Sequence, residues 1–241
     1  MEIQIAVAKT NKYASSESGD TLETVERPNG GLSVVLADGQ TSGRGAKAIS
    51  TMVVRRVISL LAEGVRDGAA ARAASDNLFT ERNGKVSACL NILSADLQTG
   101  TLVISRNNPT PVFVAHGDHI ECLTSESVPI GTSRNIRPLI SEFPIEVGYT
   151  VVMYTDGVSL AGDRIGQLID ICTLLSSLLE EQNPHSQEIA DSLLAEAMRL
   201  DQGRPNDDMS VVVLRVLQSD EDQIRRMTVR LPVEPVRTPF A

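Results

Sequence analysis

The sequence predicts an α+β domain: a four-layer α-β-β-α sandwich in which two mostly antiparallel sheets stack face to face and helices cover both outer sides. Three observations carry that expectation. Strand-like runs cluster between helical pairs that flank them at two places, with little βαβ alternation, so the sheets should be antiparallel with helices on their outer faces. The chain has 241 residues, 41% hydrophobic and 22% charged, which is enough for one domain with a substantial core. Finally, two apolar strands run straight into Asp-Gly turns that open helices, and a third is preceded by Asp-Asp, which gathers carboxylates at strand ends.

Taken in order, residues 2–8 alternate as a strand with Ile3, Ile5 and Val7 on one face. A polar stretch without periodicity follows. Residues 21–26 and 32–37 read as a hairpin joined by Arg27-Pro28-Asn29-Gly30-Gly31, which would hold Asp20 and Asp38 at the same end. Apolar positions from Ala46 to Leu61 recur at helical spacing, predicting a helix over 44–63 that stops near Gly64, with Ser42 as its N-cap. Residues 67–78 are Ala-rich and read as a second helix. Four strand-like runs, 86–95, 101–105, 111–115 and 119–123, read as an antiparallel meander, and 139–143 is expected to pair near 149–154. After Asp156, Ile165, Leu168, Ile169, Cys172, Leu175, Leu178 and Leu179 define one long helix, and 186–200 a further one. The strand at 209–216 closes the domain, assigned to residues 1–217. Residues 218–241 are read as an acidic linker (218–222) and a C-terminal tail with a candidate final edge strand at 227–231.

Composition excludes several classes of function. The net charge of −9 and a pI near 4.9 argue against nucleic acid or an anionic membrane as partner, since both require a basic face. With no Trp and 3% aromatic residues there is no base-stacking or sugar-binding platform. Cys89, Cys122 and Cys172 lie in apolar or alternating segments without CxxC spacing and read as buried reduced thiols, for which a reducing cytoplasm is the expected location. No run reaches membrane-spanning length, and residues 1–7 lack the basic and long apolar regions of a signal peptide.

The chemistry is expected where acids recur. Leu36-Ala37-Asp38-Gly39 and Met153-Tyr154-Thr155-Asp156-Gly157 are strand-to-turn junctions of the same design, and Asp207-Asp208 precedes the strand Met209-Ser210-Val211-Val212. One Asp-Gly alone is simply a good turn pair. Three acidic strand ends separated by whole supersecondary units can converge on one point, and such hard oxygen donors suit Mg²⁺ or Mn²⁺.

In that order, Ala37-Asp38-Gly39, Tyr154-Thr155-Asp156-Gly157-Val158 and Asn206-Asp207-Asp208-Met209-Ser210 resemble the metal-dependent protein serine/threonine phosphatases of the 2C type (the PPM family). The bacterial subgroup containing sporulation stage II protein E and the stress-response partner-switching phosphatases is the most similar, over roughly residues 1–217. The resemblance implies that fold, a phosphatase acting on phosphoserine or phosphothreonine of a regulatory protein, and a cofactor of Mn²⁺ or Mg²⁺, two ions and optionally a third. By position, Asp38 would bridge two ions, the Gly39 carbonyl would ligate the second, Asp156 and Asp207 the first, and Asp20 would be associated with the second. Asp208 falls where many relatives carry Asn. It is read as a supporting or neutral position. The partner implied is a phosphorylated regulatory protein, an anti-sigma-factor antagonist among the candidates. Two ions lower the pKa of a water between them and neutralise the phosphoryl oxygens, so no Cys or Ser nucleophile is required.

The chain departs from the pattern in places. Gln40-Thr41 stands where animal members place a His, and the bacterial subgroup often has Gly at the Thr41 position. Ser15 and Ser16 stand where an Arg usually clamps phosphate, with Lys9, Lys12 and Arg44 as possible substitutes. His116, His119 and His185 read as solvated structural residues. Two alternatives stay open at this level: a phosphatase-like binding module with weak or no catalysis, and a hydrolase of small phosphate esters.

Overall fold

The computed structural model describes residues 1–28, 30–181, 183–219, 224–230 and 232. Two five-stranded antiparallel sheets form its centre. The first contains β2 (Asp20–Glu26), β3 (Leu32–Gly39), β4 (Ala88–Asp96), β5 (Thr101–Asn107) and β8 (Leu139–Pro144), in that spatial order. The second is ordered β1-β10-β9-β6-β7, from β1 (Glu2–Thr10), β10 (Met209–Leu217), β9 (Thr150–Tyr154), β6 (Val112–His116) and β7 (His119–Leu123).

Strand alternation sorts side chains into three cores. On β3, Val34 and Leu36 face the opposite sheet while Val35 and Ala37 face helices. On β10, Val212, Leu214 and Val216 enter that same inter-sheet core, and Met209, Val211 and Val213 point outward to the other helical layer. Both faces of each central strand are thus apolar, which is why these runs lack polar alternation in the sequence. Helices α1 (Gly43–Ala62) and α2 (Asp67–Arg82) cover the first sheet, and α4 (Ile171–Glu181) and α5 (Ser186–Leu200) cover the second; a four-residue α3 (Asp156–Ser159) follows β9. On α1, Ala46, Ile49, Val53 and Val57 recur at three and four residues and are buried. Small residues Ala70, Ala71 and Ala74 seat α2 close against its layer. This is the four-layer α-β-β-α sandwich.

Four local readings are corrected. The four strand runs are not one meander: β4 and β5 pair in the first sheet, β6 and β7 in the second, and Asn107-Asn108-Pro109 is a crossover between them. Polar groups cover that crossing, for Arg106 donates to the carbonyls of Asn108 (2.9 Å) and Ser125 (2.5 Å), and Asn107 Nδ2 to those of Val128 and Arg137. β8 pairs with β5 and not with β9. Every residue of β9 is buried, so it takes the centre between β10 and β6, and the half-exposed β8 takes an edge. The long helix after Asp156 is broken, because Gly162 (φ 85°) and Gly166 (φ 68°) adopt left-handed backbone. It restarts where Asp170 accepts from the amide and hydroxyl of Thr173. Ser42 is the N-cap of α1 as expected, in extended backbone, although its side chain makes no capping hydrogen bond. In the tail, residues 227–230 are not a strand; Leu231 and residues 220–223 of the acidic linker lie outside the described residues.

Candidate metal centre

The hairpin places its two acids opposite each other. Asp20 and Asp38 are register partners where β2 and β3 begin and end. Across the inter-sheet seam, β9 leads through Thr155 into Asp156, and Asp207 and Asp208 lead into β10, the antiparallel neighbour of β9. The Thr155 amide donates to the Ser210 carbonyl at 3.0 Å, so the two acidic ends of the second sheet lie side by side. Glycine after each leading acid is a steric requirement. A Cβ on Gly39 would lie 2.1 Å from the Ala46 carbonyl oxygen of α1, and one on Gly157 would lie 2.2 Å from the Asp208 carbonyl oxygen.

Asp20 is 1% exposed. Its Oδ2 accepts from the hydroxyls of Ser210 (2.6 Å) and Thr155 (3.0 Å), both of the opposite sheet, while Oδ1 is buried without a hydrogen-bond partner. Burial outweighs those hydroxyls and pushes its pKa up to about 6. Its backbone carbonyl accepts from two lysines, Lys9 Nζ of β1 at 2.6 Å and Lys47 Nζ of α1 at 2.8 Å. Asp38, partly buried, is pushed up to about 8, first by desolvation and then by the charges of Asp20, Asp156, Asp207 and Asp208. Desolvation, followed by Asp207, also raises Asp156, which is within hydrogen-bonding reach of Asp38. Asp208 faces elsewhere: Oδ1 accepts from the Lys12 amide (2.9 Å) and Oδ2 from the Gly19 amide (2.7 Å), tying down the segment before β2.

Among the described residues, no three His, Cys, Asp or Glu side chains stand close enough together as placed to hold one ion. The donor set nevertheless fits a hard divalent cation. It is all oxygen, it includes one buried carboxylate oxygen without a partner, and it holds like charges in a desolvated place where only protons or cations relieve them. Asp20, Asp38, Gly39, Asp156 and Asp207 are the groups available.

The other sequence candidates disperse. Arg44 is almost fully exposed, and Lys12 contributes its backbone amide to Asp208. His116 stacks on Tyr149 with centroids 4.2 Å apart, at the end of β9 remote from Asp156. His185 opens α5, its amide donating to Glu188. Cys89 lies opposite Asp38 on β4, where burial and that carboxylate push its thiol up to about 12, unsuited to nucleophilic attack, while Cys122 and Cys172, expected to be buried, are exposed on the second sheet's edge strand and on α4. Residue typing passed over Lys47, Thr155 and Ser210.

This architecture is the 2C-type phosphatase fold. It matches the phosphatase domain and a regulatory-domain fragment of SpoIIE from Bacillus subtilis with a TM-score of 0.74 at 22% identity, over 90% of this chain and 64% of that one. It matches the catalytic domain of the serine/threonine phosphatase PstP in complex with two manganese ions at 0.69 and 16% identity, over 90% and 99%. The RsbU and RsbW domains of a Mycobacterium tuberculosis protein match at 0.69 and 16% identity, over 89% and 60%. The chain belongs to the stage II sporulation protein E (SpoIIE) family, whose model matches residues 28–217. Stage II sporulation protein E of Bacillus subtilis is 25% identical over 222 residues, and that of Priestia megaterium 23% identical over 214. Each alignment covers 89% of this chain, which spans only 26% and 36% of those relatives.

Proposed function

We propose that residues 1–217 form a metal-dependent protein phosphatase that hydrolyses phosphoserine or phosphothreonine on a regulatory protein, with 218–241 as an appended linker and tail. The observation that carries this reading is that Asp20 and Asp38 from one sheet and Asp156 and Asp207 from the other lie within electrostatic reach, so that burial and mutual repulsion push Asp38 to about 8. Membership of the SpoIIE family supports it. In this reading Mn²⁺ or Mg²⁺ would be held by Asp38, shared between ions, by Asp156 and Asp207 for a first ion, and by Asp20 and the Gly39 carbonyl for a second. Ions bound there would supply an acidified water and offset the charge of the phosphoryl group.

The chain's own contribution is to orient and to exclude. Thr155 and Ser210 fix one oxygen of Asp20 and leave the other free, and Lys9 and Lys47 fix its backbone. The histidines lie on elements away from the acids, so in this reading the leaving oxygen takes its proton from water or from another group. RsbU and RsbW in a structural neighbour support an anti-sigma-factor antagonist as the class of phosphoprotein substrate. No described helix is long and apolar enough to cross a membrane. A reducing, cytoplasmic setting is the reading supported by three free cysteines.

The test compares a phosphoserine peptide with p-nitrophenyl phosphate, each with Mn²⁺ and with chelator. Mn²⁺-dependent turnover of the peptide is expected. Turnover of the ester alone would replace this reading with a small-ester hydrolase, and turnover of neither would replace it with a binding module.

A further inference from the structure

The outer face of α1 inverts the charge of the molecule. Within a chain of net charge −9, α1 carries Arg44, Lys47, Arg55 and Arg56 and no acidic residue. These four side chains line an open groove of about 850 Å³, with Met52 among its apolar walls and Glu17 the one acid in its lining. Glu17 faces Arg44 at 3.9 Å across solvent, a contact too exposed to neutralise it. Arg55 and Arg56 are exposed, and among the described residues no carboxylate lies within ion-pair distance of either.

Position gives this face a use. Lys47 belongs both to the groove and to the carboxylate centre, where its Nζ meets the Asp20 carbonyl at 2.8 Å. From Arg44 to Arg55 the helix rises about 16 Å, the length of roughly five residues of extended chain. A segment with its phosphorylated residue at the centre therefore reaches Arg55 and Arg56 with the residues that flank it. We propose that this groove docks an acidic segment flanking the phosphorylated Ser or Thr of the protein substrate. The proposal rests on the phosphatase reading and adds to it the chemistry of the substrate. The occupant is a short acidic peptide segment because the basic stripe is confined to one helix. A long polyanion or a flat anionic bilayer would extend past it onto the acidic remainder of the surface.

The test uses the full chain with Mn²⁺ and two fluorescent phosphoserine peptides, one flanked by Asp and Glu and one by Asn and Gln. Anisotropy reads binding and phosphate release reads turnover. The wild type should bind the acidic peptide about tenfold more tightly than the neutral one at low salt. The preference should fade as ionic strength shortens the screening length below about 10 Å. R55E/R56E should abolish the preference, and R55Q/R56Q, which keeps the surface polar without reversing charge, should reduce it. Equal binding of the two peptides by the wild type, or a preference that survives in both variants, would overturn the proposal. So would tighter binding of phosphatidylserine vesicles or single-stranded DNA than of the acidic peptide. Because anisotropy needs no turnover, a chain that binds selectively but hydrolyses nothing would support the groove while refuting the phosphatase reading.

Discussion

In the metal-free protein, Asp38→Asn should raise the melting temperature, and by more at pH 8 than at pH 5. The ordinary value for an aspartate is 3.8, and the fold pushes Asp38 to about 8, so between those limits the native state holds a proton that the unfolded chain has released. Stability is then lost as pH rises through that window, and levels off above it. An amide carries no charge at any pH and escapes the loss. From pH 5 to pH 8 the ceiling for an isolated carboxyl is about 1.4 kcal/mol per pH unit, or roughly 4 kcal/mol. Asp20, at about 6, and the raised Asp156 shed part of the strain by keeping protons themselves, which brings the expected gain for the variant to about 2 kcal/mol. For a chain of this size that is about 4–8 °C of additional difference between variant and wild type. Calorimetry in chelator at both pH values measures it. Saturating Mn²⁺ should reverse the order at pH 8, since an ion at a hundred times its dissociation constant adds about 2.7 kcal/mol to the native wild type and less to a variant lacking the bridging charge. A difference between the two proteins that stays constant or shrinks from pH 5 to pH 8 would refute the reasoning, as would a wild type indifferent to Mn²⁺.

Asp38→Asn, Asp156→Asn and Asp207→Asn should each lower Mn²⁺-dependent turnover, the first to below about a tenth of wild type, and a higher residual rate in a steady-state assay would rule out the bridging role. Asp208→Asn should instead act on stability, costing about 1–3 kcal/mol in denaturant titration because its carboxylate serves two backbone amides, with metal dependence retained; a loss of metal response matching that of Asp207→Asn would reverse the roles within the pair. Thr41→Gly should stabilise the protein by about 1 kcal/mol, since Thr41 is a β-branched residue at φ 80°, and a lower denaturation midpoint would contradict that strain. Changing His116, His119 and His185 together to Gln should leave kcat nearly unaltered, and a collapse of rate would reveal a proton donor among them.

What could be read in the sequence was whatever depends on near neighbours or on alternation. The hairpin, its pairing of Asp20 with Asp38, the buried faces of α1 and α5, and the recurring acid-glycine junctions all follow from spacing within a few residues. Sheet membership did not, because β5, β6 and β8 carry the same short apolar signature whichever sheet they join, and only the demand for burial of β9 decides between them. The broken helix after Asp156 was hidden by apolar residues that keep helical spacing across Gly162 and Gly166. At the centre, leading acids stood out, whereas Lys47, Thr155 and Ser210 meet Asp20 only through long-range contacts that no local pattern encodes.

The pairing of β1 with β10 bears on the order of assembly. Glu2 is opposite Leu217 and Thr10 is opposite Met209, so β1 waits for β10 before it has a neighbour in its sheet. During synthesis the hairpin carrying Asp20 and Asp38 is made well before β10 and the Asp207 ahead of it, which lies 168 residues beyond Gly39 (207 − 39). Closing so distant a contact is slow compared with local helix formation. A nascent or truncated chain therefore displays half a centre, with two carboxylates open to water and no second sheet to enclose them. The carboxylate cluster is therefore complete only once β10 has been made, when Ser210 can close over Asp20 and Asp207 can join Asp38 and Asp156.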